Sequence, residues 1–186
     1  MTVPCAKPCG GQHAHPPVVD GRDGVSPSGE SVGNMSTLPR RKHPVHGVFM
    51  SSGAPTIVLL TVCTENKEPW LACATVHSAL VDVWKAADAW LVGYYLLMPD
   101  HIHLFCSPYK LEFALKTWVS HWKRKFSCLH LPEAGSWQRD YWDTRLRREE
   151  NYQNKWEYIR QNPVEKMLVT NVEDWSYQGV LNELRW

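Results

Sequence analysis

Two histidines, His101 and His103, stand one residue apart in an apolar segment that follows the turn residues Met98-Pro99-Asp100. Side chains alternate across a β-strand, so both imidazoles would project from one face while Ile102 and Leu104 pack on the other. Neutral imidazole nitrogens are common ligands for divalent metal ions. The spacing therefore predicts half of a metal site. The structural alternative is a pair of polar residues on the solvent-exposed face of a half-buried strand.

A later segment contains residues that could complete such a site. Tyr158 and Asn162 are four residues apart, which predicts one shared face of a helix. Asn162 could offer a carboxamide oxygen as the third metal ligand, with Gln161 as the neighbouring substitute. Tyr158 could act as a nucleophile, but a phenol titrates at about 10 and needs a cation or a base close by. A buried structural tyrosine and a helix-terminal asparagine are the alternatives.

The composition predicts one globular domain. The chain has 186 residues, is 44% hydrophobic and carries a formal net charge of only +1, so any attraction to nucleic acid must come from local clusters of charge. The six cysteines do not have the spacing of a disulfide framework, which favours a reducing, cytoplasmic setting. No apolar run approaches the roughly 18 residues of a membrane span, and no signal peptide is evident.

Residues 1–46 are rich in Pro, Gly and Ser and have no hydrophobic period, which predicts a disordered N-terminal extension. Within it, Cys5, Cys9, His13 and His15 do not have the common zinc-site spacing. The predicted boundaries are this extension, a domain over 47–178 that would carry the candidate site, and a C-terminal tail over 179–186.

Hydrophobic periodicity predicts the elements that would carry the candidate site. Strands are expected over 56–63, 90–98, from His101 onward and over 137–146, with the second and third forming a hairpin. Helices are expected over about 75–87, 111–129 and 149–162, the last stopped by Pro163. The first strand is β-branched and apolar throughout, which is typical of a buried central strand.

Positive charge is concentrated between residues 110 and 148, where Lys and Arg outnumber Asp and Glu by five. Basic surfaces with stacking aromatic rings bind single-stranded nucleic acid. The aromatic residues here are Trp118, Trp122, Tyr141 and Trp142, most of which lie on an apolar stripe and are expected in the core. The candidate phosphate contacts, chosen from the placement of charge, are Lys116, Lys123, Arg124, Arg139, Arg145, Arg147 and Arg148.

Three motifs together resemble the REP-associated tyrosine transposases, a branch of the single-tyrosine HUH transposases of the insertion-sequence type. They are Leu97-Met98-Pro99-Asp100-His101-Ile102-His103-Leu104, then Trp137-Gln138 with Tyr141-Trp142-Asp143, then Tyr158-Ile159 leading into Asn162-Pro163-Val164. Their order and spacing agree over roughly residues 48–177. The resemblance implies an α+β fold of ferredoxin-like or RRM-like type, with an antiparallel sheet backed by helices and the histidine pair on a central strand.

The resemblance also implies a reaction. Tyr158 would attack a phosphodiester of single-stranded DNA at a hairpin-forming, palindromic repeat, leaving a 5′-phosphotyrosine and a free 3′-hydroxyl. His101 and His103, with Asn162 as the weaker assignment, would hold Mg²⁺ or Mn²⁺. The alternatives are a hairpin-binding protein that does not cleave, and a metal hydrolase that uses the histidines without the tyrosine. Some members of the superfamily exchange tyrosine helices in dimers, whereas this branch acts through one chain, so a monomer is expected.

Overall fold

The computed structural model describes residues 56–146 and 149–185. The strands are β1 (Val58–Thr64), β2 (Trp90–Leu97), β3 (His101–Pro108), β4 (Trp137–Arg145) and β5 (Gln178–Val180). The helices are α1 (Ala74–Ala86), α2 (Leu115–Ser127), α3 (Glu149–Ile159) and α4 (Asn162–Glu165), with 3₁₀ turns at Glu65–Lys67 and Val172–Asp174. All strand pairs are antiparallel in the order β4-β1-β3-β2-β5. The predicted α+β fold is confirmed.

The two faces of the sheet bury different sets of side chains because neighbouring residues of a strand point to opposite sides. Ile102 and Leu104 of β3 belong to a core that includes buried residues of α1 and α2. Phe105 points to the other face, where it joins a second core with Tyr152 and Trp156 of α3. The sheet is therefore covered on both sides, and α3 lies on the face to which alternation assigns His101 and His103.

Most predicted strands and helices agree with the structure to within a few residues. The β2–β3 hairpin and the interior position of β1, between β3 and β4, are confirmed. The predicted helix over 111–129 is too long at both ends, because Leu111 and Leu129 are exposed and α2 spans only Leu115–Ser127. Leucines at helical spacing extend the pattern without being part of the packed stripe.

The predicted helix over 149–162 is also shorter in the structure. The helix α3 ends at Ile159, and Asn162 is the first residue of the separate helix α4. Pro163 lies in the first turn of α4, where proline is tolerated because that backbone position has no intrahelical hydrogen bond to lose. The proline therefore begins a helix here rather than ending one, and Tyr158 and Asn162 do not share a continuous helix.

The residues after 178 are packed against the domain. The strand β5 pairs with β2, matching Tyr94 with Val180 and Leu96 with Gln178. Leu184 is buried in the core formed with α3, and the backbone of Gly93 lies so close to it that a Cβ there would meet the leucine Cδ1 at 2.7 Å. Residues from the predicted tail over 179–186 therefore pack on the domain in the structure, whereas the domain boundaries themselves stay a prediction.

The structure describes only part of the chain to which the predictions for the N-terminal extension and the cysteines apply. The N-terminal extension over 1–46 and its Cys and His residues lie outside the described residues. Four cysteines, Cys63, Cys73, Cys106 and Cys128, are described; the first three are buried and Cys128 is exposed. Among the described residues, no helix combines the length and apolar character needed to cross a membrane.

Candidate functional site

The histidine pair lies at the start of β3, the middle strand of the five. The His101 and His103 rings have centroids 4.8 Å apart and planes inclined at 84°. Both residues are partly buried, so the rings are held by their surroundings while a part of each remains accessible. The predicted common face is therefore observed, because β-strand alternation places the two imidazoles side by side.

Each imidazole has a hydrogen-bonding partner at its Nδ1 atom. His101 Nδ1 lies 2.6 Å from Asp100 Oδ1, and Thr61 Oγ1 of β1 lies 2.9 Å from His103 Nδ1. A carboxylate only accepts hydrogen bonds, so His101 carries its proton on Nδ1 and its Nε2 lone pair is left for another group. Metal-binding histidines are commonly oriented in this way by a carboxylate or another oxygen.

Asp100 is itself held in place. Its backbone oxygen accepts hydrogen bonds from both the backbone nitrogen and the Oγ1 of Thr64, each at 3.0 Å. Lys67 Nζ lies 3.7 Å from Asp100 Oδ2 and 3.1 Å from Cys63 Sγ. Lys67, Asp100 and His101 thus form a row of charged and polar groups that ends at the histidine pair.

The electrostatics favour neutral imidazoles at neutral pH. Burial lowers the pKa of His103 to about 3, and the neighbouring His101 and Lys67 add to this effect. Burial also lowers the pKa of His101, and this outweighs the effect of the hydrogen bond that His101 donates to Asp100, which raises the pKa. Burial alone would raise the pKa of Asp100, but its contacts with His101 and Lys67 lower it. A neutral imidazole is the form that binds a metal ion.

The described residues offer a divalent cation only part of a ligand set. No group of three or more His, Cys, Asp and Glu side chains within residues 56–146 and 149–185 could hold a metal ion. The two histidines fit the role of nitrogen ligands because their Nδ1 atoms are engaged elsewhere. The remaining ligands would have to be oxygens of another kind, such as a carboxamide, water or phosphate.

The helix α3 is packed on the histidine face, but the Tyr158 side chain is turned outward. Tyr152 and Trp156 contact Phe105 of β3, with ring centroids 4.8 and 6.5 Å apart. Two residues along a helix correspond to about 200° of rotation, so Tyr158 projects roughly opposite to Trp156. It is 65% exposed, and no hydrogen bond between Tyr158 and either histidine is present in the described part of the chain.

The following helix, α4, reaches the neighbourhood of the histidines. Lys166, the residue after α4, is close enough to His101 to contribute to the lowering of its pKa. Asn162 is only partly exposed at the start of this helix, whereas Gln161 is exposed. The structure therefore places the segment of Asn162 near the site and shows no contact between its side chain and the imidazoles within the described residues.

The candidate phosphate contacts do not all lie on the surface. Lys116, Arg124 and Arg139 are exposed, and Arg145 is partly buried. Lys123 is only 8% exposed, and its Nζ donates a hydrogen bond to the backbone oxygen of Gln138 at 2.9 Å. Lys123, a candidate phosphate contact from the placement of charge, is therefore buried, and its contact with phosphate stays a prediction. Arg147 and Arg148 are outside the described residues.

The structure also adds side chains that sequence reasoning did not assign to the site. Thr61 of β1 contacts His103, and Lys67 of the turn after β1 lies beside Asp100. Asp100 is the residue directly before His101. Only Asp100 carried a signal in the sequence, its position beside the histidine. The others depend on strand register and on a turn, neither of which can be obtained from local spacing.

The comparisons with known proteins give a curated relative and a solved structure. The relative, from Haemophilus influenzae, is named "Putative REP-associated tyrosine transposase" and is 27% identical over an alignment of 103 residues; the match covers 48% of this chain and 58% of the relative. The chain thus spans less than two thirds of that relative's length. No family model matches the chain.

Two solved structures illustrate the fold comparison. A REP-associated tyrosine transposase bound to a REP hairpin has a TM-score of 0.58 at 19% identity, over 76% of this chain and 82% of that one. A putative transposase from Deinococcus radiodurans has a TM-score of 0.38 at 19% identity, over 61% and 96% of the two chains, which is too low to support an argument. The resemblance predicted from the motifs is confirmed: this chain is similar in sequence to a REP-associated tyrosine transposase and shares its fold with another.

Proposed function

We propose that the protein is a metal-dependent endonuclease and transposase that cleaves and rejoins single-stranded DNA at hairpin-forming repeats through a covalent 5′-phosphotyrosine. The observation that carries this proposal is the pair of imidazoles held side by side on the central strand. A helix bearing Tyr158 packs on the same face of the sheet. The curated relative with a transposase name and the solved transposase bound to a REP hairpin favour the same reaction and the same kind of DNA.

In the proposed reaction, the Tyr158 oxygen attacks a phosphorus atom of the DNA and forms a new phosphoester bond as the bond to the 3′ oxygen breaks. The phenol loses its proton and the departing 3′ oxygen gains one, so the released strand ends in a 3′-hydroxyl. One phosphodiester replaces another of similar energy, which allows the reverse attack to rejoin strands. A Mg²⁺ or Mn²⁺ ion held by His101, His103 and Asn162 would stabilise charge on the phosphate.

The exposed position of Tyr158 means that α3 or its last turn must rotate before the attack. The helix is held by the ring contacts of Tyr152 and Trp156, but Tyr158 lies only one residue before the end of α3. Helix ends unwind more readily than helix centres because they lack intrahelical hydrogen bonds. DNA at the histidines would favour the rotated state by binding to it.

DNA is proposed to pass over the β4 edge of the sheet. This strand is at one end of the strand order, and α2 lies behind it, as the contact of Trp122 with Trp137 shows. Arg139 on β4 and Lys116 and Arg124 on α2 would contact phosphates, with Arg145, Arg147 and Arg148 as further candidates. Lys123 would have to leave its hydrogen bond to take part. We further propose that the protein acts as a monomer in the cytoplasm, with a dimer as the alternative.

The decisive experiment is a denaturing gel of the protein with hairpin-bearing, single-stranded oligonucleotides and Mn²⁺. We expect a covalent protein–DNA product that disappears with chelator and in Tyr158→Phe, whereas His101→Ala and His103→Ala should lose cleavage and keep salt-sensitive binding. Tyr109→Phe is the matched control, since Tyr109 is equally exposed, 63% against 65%, at the far end of β3. An adduct that survives in Tyr158→Phe, or cleavage that is unchanged without the histidines, would contradict the proposal.

The second candidate is a hairpin-binding protein that does not cleave. The 65% exposure of the Tyr158 side chain is the observation that favours it. It predicts tight binding of the same oligonucleotides with no covalent product in the presence of any of the tested ions. A hydrolase that uses the histidines alone would instead release 5′ ends without attached protein, and the same gel would separate it from the other two.

A further inference from the structure

Trp142 differs from the other tryptophans of the chain in its exposure. It is 42% exposed, whereas Trp70, Trp84, Trp90, Trp118, Trp122, Trp156 and Trp175 are buried and Trp137 is partly buried. Within the described residues, it is therefore the one tryptophan with a large area of indole open to solvent. Exposing so much apolar surface costs free energy unless something else covers it.

The strand register places Trp142 in line with the candidate site. Thr61 of β1 pairs with His103 on one side and with Trp142 on the other. Paired residues of antiparallel strands carry their side chains on the same face, and the Thr61 hydroxyl does contact the His103 ring. His103, Thr61 and Trp142 thus form one row across three strands, with the tryptophan at the outer, open end.

The neighbouring residue on β4 supports this assignment of Trp142 to the face of the histidines. Tyr141, which precedes Trp142, belongs to the core shared with α1 and α2. Alternation therefore turns Trp142 to the other side, the side of Phe105 and α3. Two interstrand spacings of about 4.8 Å separate the backbones of Trp142 and His103. That distance, about 10 Å, corresponds to at most three nucleotides at the duplex rise of about 3.4 Å per nucleotide.

We propose that Trp142 is a nucleobase-stacking subsite that binds one unpaired base of the DNA strand within about three nucleotides of the cleaved phosphate. The inference depends on the proposed function for the presence of DNA at the histidines. An indole ring and a base stack through their flat faces, which requires neither charge nor a particular base. Trp142 would hold the strand against the sheet where β4 forms its edge, and so place the phosphate over the histidine pair.

The test combines substitutions of the protein with removal of single bases from the DNA. Binding of a hairpin oligonucleotide with a single-stranded extension is measured in chelator, which prevents cleavage, for the unsubstituted protein, Trp142→Ala and Trp142→Phe. Each protein is also measured with a series of oligonucleotides that lack one base at successive positions. Tyr109→Ala is the control, because that side chain is also open to solvent, 63% exposed against 42% for Trp142, and lies directly after the opposite end of β3.

We expect Trp142→Ala to weaken binding about 5- to 150-fold, and Trp142→Phe to weaken it less because a phenyl ring still stacks. The loss should vanish on oligonucleotides that lack the base at one position or two adjacent positions, because the base that would stack is already absent. The salt dependence of binding should be unchanged, since stacking releases no counterions. Tyr109→Ala should bind as the unsubstituted protein does.

Two results would overturn the proposal. One is binding of Trp142→Ala that equals that of the unsubstituted protein; the other is a loss of the same size on every oligonucleotide, which would indicate a structural role. If Trp142→Ala unfolds, Trp142→Gln is used against the same DNA series. The proposed cleavage activity is tested by a separate result. A loss of binding by Trp142→Ala that is confined to certain base positions, together with no covalent product on the denaturing gel, would support the stacking subsite and contradict the nuclease proposal.

Discussion

At the scale of single residues, the candidate site is defined by what the Nδ1 atoms of the histidines contact. His-x-His spacing predicted the common face of the two rings, and it could do so because alternation along a strand is local. The partners of the two Nδ1 atoms, Asp100 and Thr61, could not both be predicted in this way. Asp100 is adjacent to His101 in the sequence. Thr61 is 42 residues before His103, so its contact depends on the register between β1 and β3.

Asp100 is expected to raise the affinity of the site for a metal ion. As a carboxylate it fixes the proton of His101 on Nδ1 and directs Nε2 toward the ligand. Asp100→Ala should lower the affinity for Mn²⁺ about 10- to 100-fold, as measured by titration of the protein with Mn²⁺ in the absence of DNA. Asp88→Ala is the control, since Asp88 forms an exposed ion pair with Lys110. Equal affinities for both variants and the unsubstituted protein would show that Asp100 has no orienting role.

Lys123 is expected to make the stability of the protein depend on pH. Burial lowers its pKa from 10.5 to about 8, so between these values the unfolded chain binds more protons than the folded one. The contribution of Lys123 to the free energy of unfolding should therefore rise as pH increases, by about 2 kcal/mol between pH 8 and 10. Lys123→Met should lack this rise, as measured by urea denaturation at a series of pH values.

Other buried groups act in the opposite direction, and their effects are common to Lys123→Met and the unsubstituted protein, so the difference between the two pH profiles isolates Lys123. Burial raises the pKa of the Cys106 thiol above its ordinary value of 9.0, so this group lowers stability as pH rises through that value. Burial raises the pKa of Tyr141 and of Tyr152 to about 12, so their folded forms bind protons more tightly than the unfolded chain, and they reduce stability only as pH rises through their ordinary value of about 10. Parallel pH profiles for Lys123→Met and the unsubstituted protein would mean that the ammonium is solvated in the folded state.

At the scale of helices and strands, the sequence predicted which elements form better than how they end. Apolar periodicity located β1 to β4 and the three longer helices, because each buries a regular stripe. It missed β5, whose three residues Gln178, Gly179 and Val180 are too few to show a period. It also joined α3 to Asn162, because Pro163 can stand either after a helix or inside the first turn of the next one.

The orientation of Tyr158 could have been predicted from the same helix. Tyr152, Trp156 and Ile159 are spaced by four and three residues and form the buried stripe, which leaves Tyr158 on another face. Sequence reasoning assigned Tyr158 by its distance from Asn162 and did not compare it with this stripe. The position of a nucleophile on its helix is thus constrained by packing as well as by chemistry.

Trp156 is expected to hold α3 against the sheet. Its indole is 7% exposed, stacks on Tyr94 with centroids 4.7 Å apart, and lies 6.5 Å from the Phe105 ring. Trp156→Ala should lower the free energy of unfolding by about 3–5 kcal/mol, as measured by chemical denaturation, and should abolish adduct formation by Tyr158. Tyr158→Phe should change stability by less than about 0.5 kcal/mol, since Tyr158 is on the surface. Wild-type stability in Trp156→Ala would mean that α3 is not anchored there.

At the scale of the whole molecule, the near-zero net charge conceals an uneven distribution. Lys and Arg exceed Asp and Glu by five between residues 110 and 148, and this segment forms α2 and β4. The histidines face one side of the sheet and α2 covers the other, so no single flat surface contains both. DNA that contacts both must pass the edge formed by β4, where Arg139 and Trp142 are exposed. Linear sequence could show the charge cluster but not this arrangement on two sides of a sheet.

The salt dependence of binding tests whether DNA takes this route over the edge. Each phosphate contact that is lost should reduce the slope of log K against log salt concentration by about 0.7–0.9, so Arg139→Gln and Arg124→Gln should each show that reduction with hairpin oligonucleotides in chelator. Lys123→Met should leave the slope unchanged because its ammonium is bonded to the Gln138 oxygen, and so should Lys85→Gln, an exposed lysine of α1. A reduced slope for Arg139→Gln alone would indicate that the DNA contacts only the histidine side and the β4 edge of the sheet. Equal reductions for all four variants would instead indicate a diffuse attraction with no defined path across the molecule.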